Sequence, residues 1–290
     1  MLSPQPAGRA GAGGSMTGVI GVHQGLFGRV TLFRTNQPVH VHAHPHVHAL
    51  IKVEGQDGAY DVEGTRCPIT DGEMVLLNPW VPHANWRASA DPPITILALY
   101  IEAGWLVRGS GGTSRRPFSR QSARVDDAMR RLVGRIAATI ADPTLTAAAD
   151  DLEGDILALL TRILAANSPD SLAPAEPRSV DHRIRKAIAL MRADPPRPQT
   201  IDVLARAVGL SRSRFFEQFT ASTGMTPAVY NDTLRVEYAI EQLIASDRPA
   251  GDIALDLGFS APGHFSRFFK NKIGFTPREY RRGAHVAGAP

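Results

Sequence analysis

The chain has 290 residues, which is enough for two domains. Hydrophobic residues make up 43% and charged residues 21% of the sequence, which is an ordinary composition for a globular protein. A single cysteine, Cys67, excludes an intramolecular disulfide and a disulfide-stapled secreted fold, so we expect a cytoplasmic protein. No run of about eighteen apolar residues occurs, so we expect no membrane partner.

The net charge of +4 is unevenly distributed. From Val180 onward the chain carries 16 Lys and Arg against 11 Asp and Glu, whereas the first 179 residues carry 16 against 17. A basic C-terminal part behind a near-neutral one suits a nucleic-acid-binding module joined to a second unit.

The first hundred residues divide into a low-complexity start and a strand-rich segment. Residues 1–17 open with a Gly-, Ala- and Pro-rich stretch that predicts disorder. Residues 18–102 contain short apolar runs such as VTLF, ALIKV and ITILALYI, separated by turn sequences such as GQDG and TDGE. Strands of this length and spacing predict a β-sandwich or barrel.

The middle of the chain predicts two linkers around a pair of helices. Residues 103–120 contain GSGG and RRP and are typical of a linker. Apolar residues then recur at steps of three and four over about 121–140 and 146–166, which predicts a helical pair within 121–167. A second, Pro/Ser/Ala-rich linker follows at 168–179. We expect the helical pair to support a homodimer or to carry a signal between domains.

An internal repeat is the most informative feature, and it lies within residues 180–284. VLARAVGLS at Val203–Ser211 is echoed by DIALDLGFS at Asp252–Ser260, and each copy is followed by two Phe residues four apart. Each copy predicts a helix-turn-helix: Ala at the helix crossing, Gly at the helix end, and Ser211 or Ser260 capping the next helix. The second copy has one extra residue at its turn. A duplicated helical bundle without DNA binding is the alternative.

The repeat resembles the DNA-binding domain of the AraC/XylS family of bacterial regulators. The resemblance covers roughly Val180–Arg282 and is most specific in GFSAPGHFSRFFKNKIGFTPREYRR, at the end of that range. It implies two helix-turn-helix units joined by a long helix at about Pro227–Ile244. The recognition helices, about Arg212–Ala221 and Pro262–Asn271, would enter successive major-groove segments of double-stranded DNA. A tail over 285–290 follows.

The same resemblance assigns roles to side chains of the recognition helices. The expected base-contacting residues are Arg212, Ser213, Phe216, Glu217, Gly263, His264, Ser266 and Arg267. Arg267 can read a guanine by paired hydrogen bonds, and Glu217 can accept from a cytosine amino group. A phosphate contact for Arg267 and simple packing for Phe216 remain open. The expected phosphate contacts are Arg214, Lys270, Lys272, Arg278, Arg281 and Arg282, with Arg212 also placed to make one.

Six of the ten histidines lie between His40 and His83. They alternate strictly from His40 to His48, so an extended strand would align them on one face, although Pro45 is expected to break it. The spacing of His42, His44, His48 and His83 resembles the two metal-binding motifs of cupins, with His48 at the glutamate position.

The cupin resemblance covers about Gly28–Ile101 and implies a jelly-roll barrel. It brings those four histidines together to hold one divalent metal, for which zinc, iron, nickel and copper all suit imidazole. The alternative interpretation is that they line a pocket for an organic effector, and both interpretations stay open. His40 and His46 are expected to be exposed strand-end residues.

These features predict an α+β multidomain protein with an N-terminal cupin-like barrel, a middle helical pair and an all-α C-terminal domain with two helix-turn-helix units. The predicted function is a sequence-specific transcription regulator, not an enzyme, that responds to a small-molecule or metal effector. It would contact RNA polymerase if it is an activator. The alternative is a cupin metalloenzyme, a dioxygenase or isomerase, fused to a DNA-binding domain. The lack of a clear acid–base partner beside the histidines argues against this alternative.

Overall fold

The computed structural model describes residues 17–85, 92–102, 104–106, 116–142, 149–167 and 181–286. The predicted disordered start up to residue 16, the centre of the first linker at 107–115 and the second linker at 168–179 lie outside these residues. Within the described ranges, no helix combines the length and apolar character that crossing a membrane requires.

Two antiparallel sheets form the N-terminal domain. The strands, in chain order, are β1 (Gly18–Gly25), β2 (Gly28–Thr35), β3 (Val39–His42), β4 (Val47–Gly55), β5 (Gly58–Val62), β6 (Thr65–Ile69), β7 (Glu73–Leu77), β8 (His83–Asn85), β9 (Ile94–Ile101) and β10 (Ser122–Arg124). One sheet has the order β1-β2-β9-β4-β7-β10, and the other has the order β3-β8-β5-β6. The predicted β-rich domain is confirmed, and Pro45 separates β3 from β4 as expected.

The larger sheet is buried on both faces, which explains its unbroken apolar runs. One face, which includes Leu50 and Ala98, packs into the interior of the barrel. The opposite face, which includes Ile51 and Leu97, packs against the helices α1 (Asp127–Ala141) and α2 (Ala149–Ala166). The apolar stripes that predicted these helices therefore face the barrel.

The start of the first predicted helix, at 121, is wrong. Ser122–Arg124 forms β10 and pairs with β7, and α1 begins only after Asp126. The Asp126 carboxylate accepts a hydrogen bond from Met129 N at 2.7 Å, which caps the helix there. The end of the predicted linker also belongs to the barrel, because Phe118 is buried and its backbone N donates to Asn78 Oδ1.

The C-terminal domain is helical, as predicted. Its helices are α3 (His182–Ala193), α4 (Ile201–Ala207), α5 (Arg212–Thr223), α6 (Pro227–Ala245), α7 (Ala250–Asp256), α8 (Pro262–Ile273) and α9 (Pro277–Val286). The pairs α4–α5 and α7–α8 are the two helix-turn-helix units, and α6 joins them. Gly209 and Gly258 have φ of +70° and +73°, the left-handed turn conformation that favours glycine. α9 runs past residue 284, so the predicted tail begins inside it.

One predicted cap is confirmed and the other is wrong. Ser211 Oγ accepts from Arg214 N and caps α5. Ser260 does not cap α8, because the extra residue in the second turn moves the cap position to Ala261. Ser260 Oγ instead lies 3.3 Å from Nδ1 of His264. Pro262, whose fixed φ suits a helix start, opens α8 without a side-chain cap.

The barrel packs against both helix-turn-helix units. Near the first unit, the Trp80 ring stacks on Tyr230 of α6 with centroids 4.3 Å apart. Trp80 has φ of +65°, a conformation that bulky residues rarely adopt, and its backbone N donates to the carbonyl of His44. Near the second unit, Val19 and Val22 of β1 join the apolar cluster of α9. The barrel therefore bridges the two units.

Candidate DNA-binding surface and histidine cavity

The predicted base-contacting residues lie on the outer faces of α5 and α8. The inner faces are fixed by Phe215 and Phe219 in α5 and by Phe265 and Phe269 in α8, all fully buried. Of the predicted base-contacting residues, one is half-buried, Ser266, and the others are exposed: Arg212, Ser213, Phe216, Glu217, Gly263, His264 and Arg267. Both recognition helices thus keep an accessible face while the barrel is docked.

The predicted phosphate contacts divide into two groups. The exposed ones are Arg214, Lys270, Arg278 and Arg282. Lys272 is turned inward, with Nζ 3.0 Å from Asp232 Oδ2, because it lies seven residues after Phe265 and so shares its buried face. Arg281 is half-buried, and its Nε donates to the backbone carbonyl of Leu243 at 3.4 Å. The placement of Lys272 and Arg281 does not fit a phosphate contact.

Three of the four predicted ligand histidines converge. His42, at the end of β3, is the register partner of His83 in β8, and His44 lies in the connection to β4. One ring nitrogen from each of the three lies within 4.8 Å of the others. The His48 ring centroid is 5.2 Å from that of His44 and 5.7 Å from that of His83. His48 therefore borders the three-histidine group without belonging to it.

Hydrogen bonds fix the tautomers of these rings. Backbone carbonyls accept from Nδ1 in three of them: His40 O from His42 at 2.8 Å, Leu99 O from His48 at 2.8 Å, and Val81 O from His83 at 3.0 Å. A carbonyl cannot donate, so Nδ1 carries the proton and Nε2 keeps its lone pair. That is the form in which imidazole binds a metal.

His44 differs because its Nδ1 partner comes from the C-terminal domain. Its Nδ1 lies 2.9 Å from Oε1 of Glu237 in α6, while its Nε2 is buried without a hydrogen-bond partner. An unpartnered buried acceptor is unfavourable unless a ligand satisfies it. The donor chemistry of the cluster therefore fits a divalent metal.

Burial keeps the four imidazoles neutral. Desolvation is the largest cause of the lowered pKa in each case, and it brings the pKa of His83 to about 4. The neighbouring histidines lower the pKa of His42, His44 and His48 further. Neutral rings near pH 7 are available as metal ligands without losing a proton first.

A cavity of about 40 Å³ lies beside the cluster, between the barrel and the second helix-turn-helix unit. Its walls include His42, His48 and His83 from the barrel, and Lys272 and Tyr280 from the C-terminal domain. A water molecule needs roughly 10–15 Å³ of such space, so the cavity has room for about three water molecules. It suits an ion with a few small ligands better than a sugar-sized molecule.

A buried polar network surrounds Glu237, which sequence reasoning missed. Its Oε2 lies 3.5 Å from an Arg29 guanidinium nitrogen, and both residues are buried. The Arg29 guanidinium lies 4.3 Å from the centre of the Tyr100 ring, which stacks on His48 at 4.2 Å. The sequence signal that could have identified it is a charged residue, Glu237, within the apolar stripe of α6.

The expectation that His46 is exposed was wrong. Its side chain is buried, and its Nε2 lies 3.1 Å from a Glu102 carboxylate oxygen, with Nδ1 4.0 Å from Glu237 Oε1. Docking of α6 covers this end of the strand. His40 is exposed, as expected.

Two helix-turn-helix units joined by one helix, docked on a β-barrel with a histidine-lined cavity at the contact, define a helix-turn-helix protein with a ligand-binding domain. Models of known families agree: the AraC-like ligand binding domain matches residues 27–161, and a helix-turn-helix domain matches residues 204–283. The chain therefore contains an AraC-type helix-turn-helix domain and an AraC-like ligand-binding domain.

Named relatives are transcription regulators. A putative AraC-like transcription regulator of Streptomyces antibioticus is 28% identical over 137 residues, which are 47% of this chain and 45% of that protein. The HTH-type transcriptional activator RhaS of Escherichia fergusonii is 30% identical over 125 residues, 43% of this chain and 45% of that protein. The chain thus matches less than half the length of these relatives.

A solved structure shares the overall fold. ToxT from Vibrio cholerae strain SCE256, with an unsaturated fatty acid bound, has a TM-score of 0.55 at 16% identity. The match covers 87% of this chain and 94% of that one. The likeness therefore spans the barrel and both helix-turn-helix units.

Proposed function

We propose that this protein is a transcription regulator that binds specific double-stranded DNA through α5 and α8 and responds to an effector held by the barrel. The carrying observation is that both recognition helices keep an exposed outer face while the barrel contacts both units. The exposed Arg214, Lys270, Arg278 and Arg282 add positive charge for phosphate contacts. The named relatives are regulators, which supports a non-enzymatic function. A homodimer, and contact with RNA polymerase if the protein activates, belong to the proposal.

The proposed effector is a divalent metal ion held by His42, His44 and His83, with His48 beside the site. Three observations support this: the convergence of the three rings, the fixed tautomers of His42 and His83, and the unpartnered Nε2 of His44. Zinc, iron, nickel and copper all accept imidazole ligands. A bound ion would supply a positive centre that can take a further small ligand from the cavity. A small anion without metal is the second candidate, because Lys272 lines the same cavity.

The DNA-binding part of the proposal is tested by selection from a random pool of double-stranded oligonucleotides with the full chain. A consensus sequence is the expected result, and the matched control is a variant with Glu217 and Arg267 both replaced by Ala. Recovery of no consensus by the wild type would overturn sequence-specific binding.

The metal is tested by elemental analysis of protein purified without an affinity tag, followed by titration with zinc, nickel and iron(II). The expected result is about one ion per chain in the wild type and none after His44→Ala with His83→Ala. The control is His40→Ala, an exposed histidine two residues before His42 on β3, which should keep the metal. Wild-type protein that takes up none of these ions would refute the metal site and leave the DNA-binding proposal standing.

A further inference from the structure

We propose that Glu237 couples the histidine site to the DNA-binding domain, because it holds a metal-binding imidazole of the barrel from the helix that joins the two helix-turn-helix units. This inference rests on the proposed metal site. It predicts that metal binding and the docking of α6 on the barrel strengthen each other.

The two nitrogens of His44 belong to different parts of the molecule. Nε2 is buried without a hydrogen-bond partner, in the ring that lies beside His42 and His83. Nδ1 lies 2.9 Å from Glu237 Oε1, 193 residues away in the sequence. A single imidazole ring thus spans from the site to the C-terminal domain.

The carboxylate of Glu237 is held from its other side as well. Arg29, in β2 of the barrel, lies 3.5 Å from Oε2, so the two carboxylate oxygens each face a different barrel side chain. Arg29 also lies over Tyr100, which stacks on His48 beside the site. If α6 moved away, both His44 Nδ1 and the buried Arg29 cation would lose their partner, which is unfavourable for each.

A carboxylate that accepts from the distal nitrogen of a metal-bound imidazole orients the ring and makes it a better ligand. Removing such a partner typically weakens metal binding by about 10–100-fold. In this chain the partner is supplied only when the domains are docked. Because coupling between two equilibria is reciprocal, the metal must strengthen docking by the same factor by which docking strengthens metal binding.

The helix that carries Glu237 gives this coupling a path to DNA. α6 joins the two helix-turn-helix units, and the barrel contacts both of them, through Trp80 against Tyr230 and through β1 against α9. Docking therefore holds α5 and α8 in one relative arrangement. Docking leaves the outer faces of both recognition helices exposed. Metal therefore favours one defined spacing of the two recognition helices, and spacing decides which DNA sequence both can contact.

The first test is the zinc affinity of the full chain, measured by competition with a chromophoric chelator. Glu237→Gln keeps the size of the side chain and an acceptor oxygen but removes the charge, and it should weaken zinc binding about 10–100-fold. The matched control is Glu241→Gln, an exposed glutamate one turn further along α6, which should bind zinc like the wild type. Equal zinc affinity of wild type and Glu237→Gln would overturn the inference. Wild type that binds none of zinc, nickel and iron(II) would refute the proposed metal site itself.

The second test uses only wild-type protein and so does not depend on a variant that folds. Backbone hydrogen exchange is compared with zinc and with a chelator. Zinc should slow exchange in the 227–245 helix and in the 39–55 segment together. Slower exchange confined to the barrel would refute the coupling even if zinc binds.

Discussion

Replacement of Gly283 by alanine should weaken the contact between the barrel and the second helix-turn-helix unit. Gly283 lies in α9 against β1, where an added Cβ would overlap Val19 Cγ1 and lie 2.8 Å from Val19 Cβ and 3.1 Å from Val19 O. Since Val19 Cβ and O cannot rotate away, strand and helix must move apart. Overpacking of this kind costs about 1–3 kcal/mol. Alanine gains about 1 kcal/mol over glycine in a helix, so the net loss is up to about 2 kcal/mol.

The matched control makes the same chemical change in open space. Gly134 lies in α1, and an added Cβ there meets nothing within 4 Å, so Gly134→Ala should gain about 1 kcal/mol from helix propensity alone. The free energies of unfolding of the two variants should then differ by about 1–3 kcal/mol. In thermal melts each kcal/mol shifts the melting temperature by roughly 2–4 °C for a domain of this size. The reasoning fails if Gly283→Ala raises the melting temperature as much as Gly134→Ala.

Three further predictions concern DNA and pH. Arg267→Ala should relax preference at one base position with a loss of about 1–3 kcal/mol, measured on an operator series, whereas uniform weakening would make Arg267 a phosphate contact. Residues 180–290 alone should bind double-stranded DNA with an affinity that falls steeply as salt rises, and gel shifts without binding at low salt would contradict this. Metal-free protein should lose stability as the pH falls from about 6.5 towards 4. Burial lowers the pKa of His83 to about 4, so the unfolded chain takes up a proton at this residue at a higher pH than the folded protein does. Between these two pKa values, His83 alone should reduce the free energy of unfolding by about 1.4 kcal/mol per pH unit. Urea midpoints that do not change between pH 7 and pH 5 would contradict the burial argument.

The C-terminal helices were predictable because their signals are local. The turn at Gly209 depends only on the backbone conformation of that glycine, and Ser211 caps α5 by accepting from the backbone N of Arg214, three residues later. The same reasoning failed at Ser260. One inserted residue moves the cap position to Ala261, although a serine still stands where the first copy has Ser211. The β10 strand was missed for a different reason: its three residues pair with β7, 47 to 51 positions earlier, and nothing in their own sequence indicates that partner.

The candidate site was predictable only as far as the barrel extends. The cupin resemblance brought His42, His44 and His83 together, since it relates two motifs on neighbouring strands. Glu237 and the burial of His46 follow from docking of α6, and the sequence of neither domain encodes the other's docking surface. The inward turn of Lys272 was available from helix geometry, because a residue seven positions after Phe265 returns to the same face.

The docking of the barrel on both helix-turn-helix units limits how freely this protein can be recombined with its relatives. A chimera joined within 168–179 would exchange a complete barrel, yet the barrel's partner surfaces lie beyond that junction. A foreign barrel would lack the histidine that Glu237 holds and the tryptophan that stacks on Tyr230. It would also place a different strand against Gly283, where the space is narrow. Designed sensors built on this scaffold therefore need those three positions transplanted together with the barrel, although they lie in the other domain.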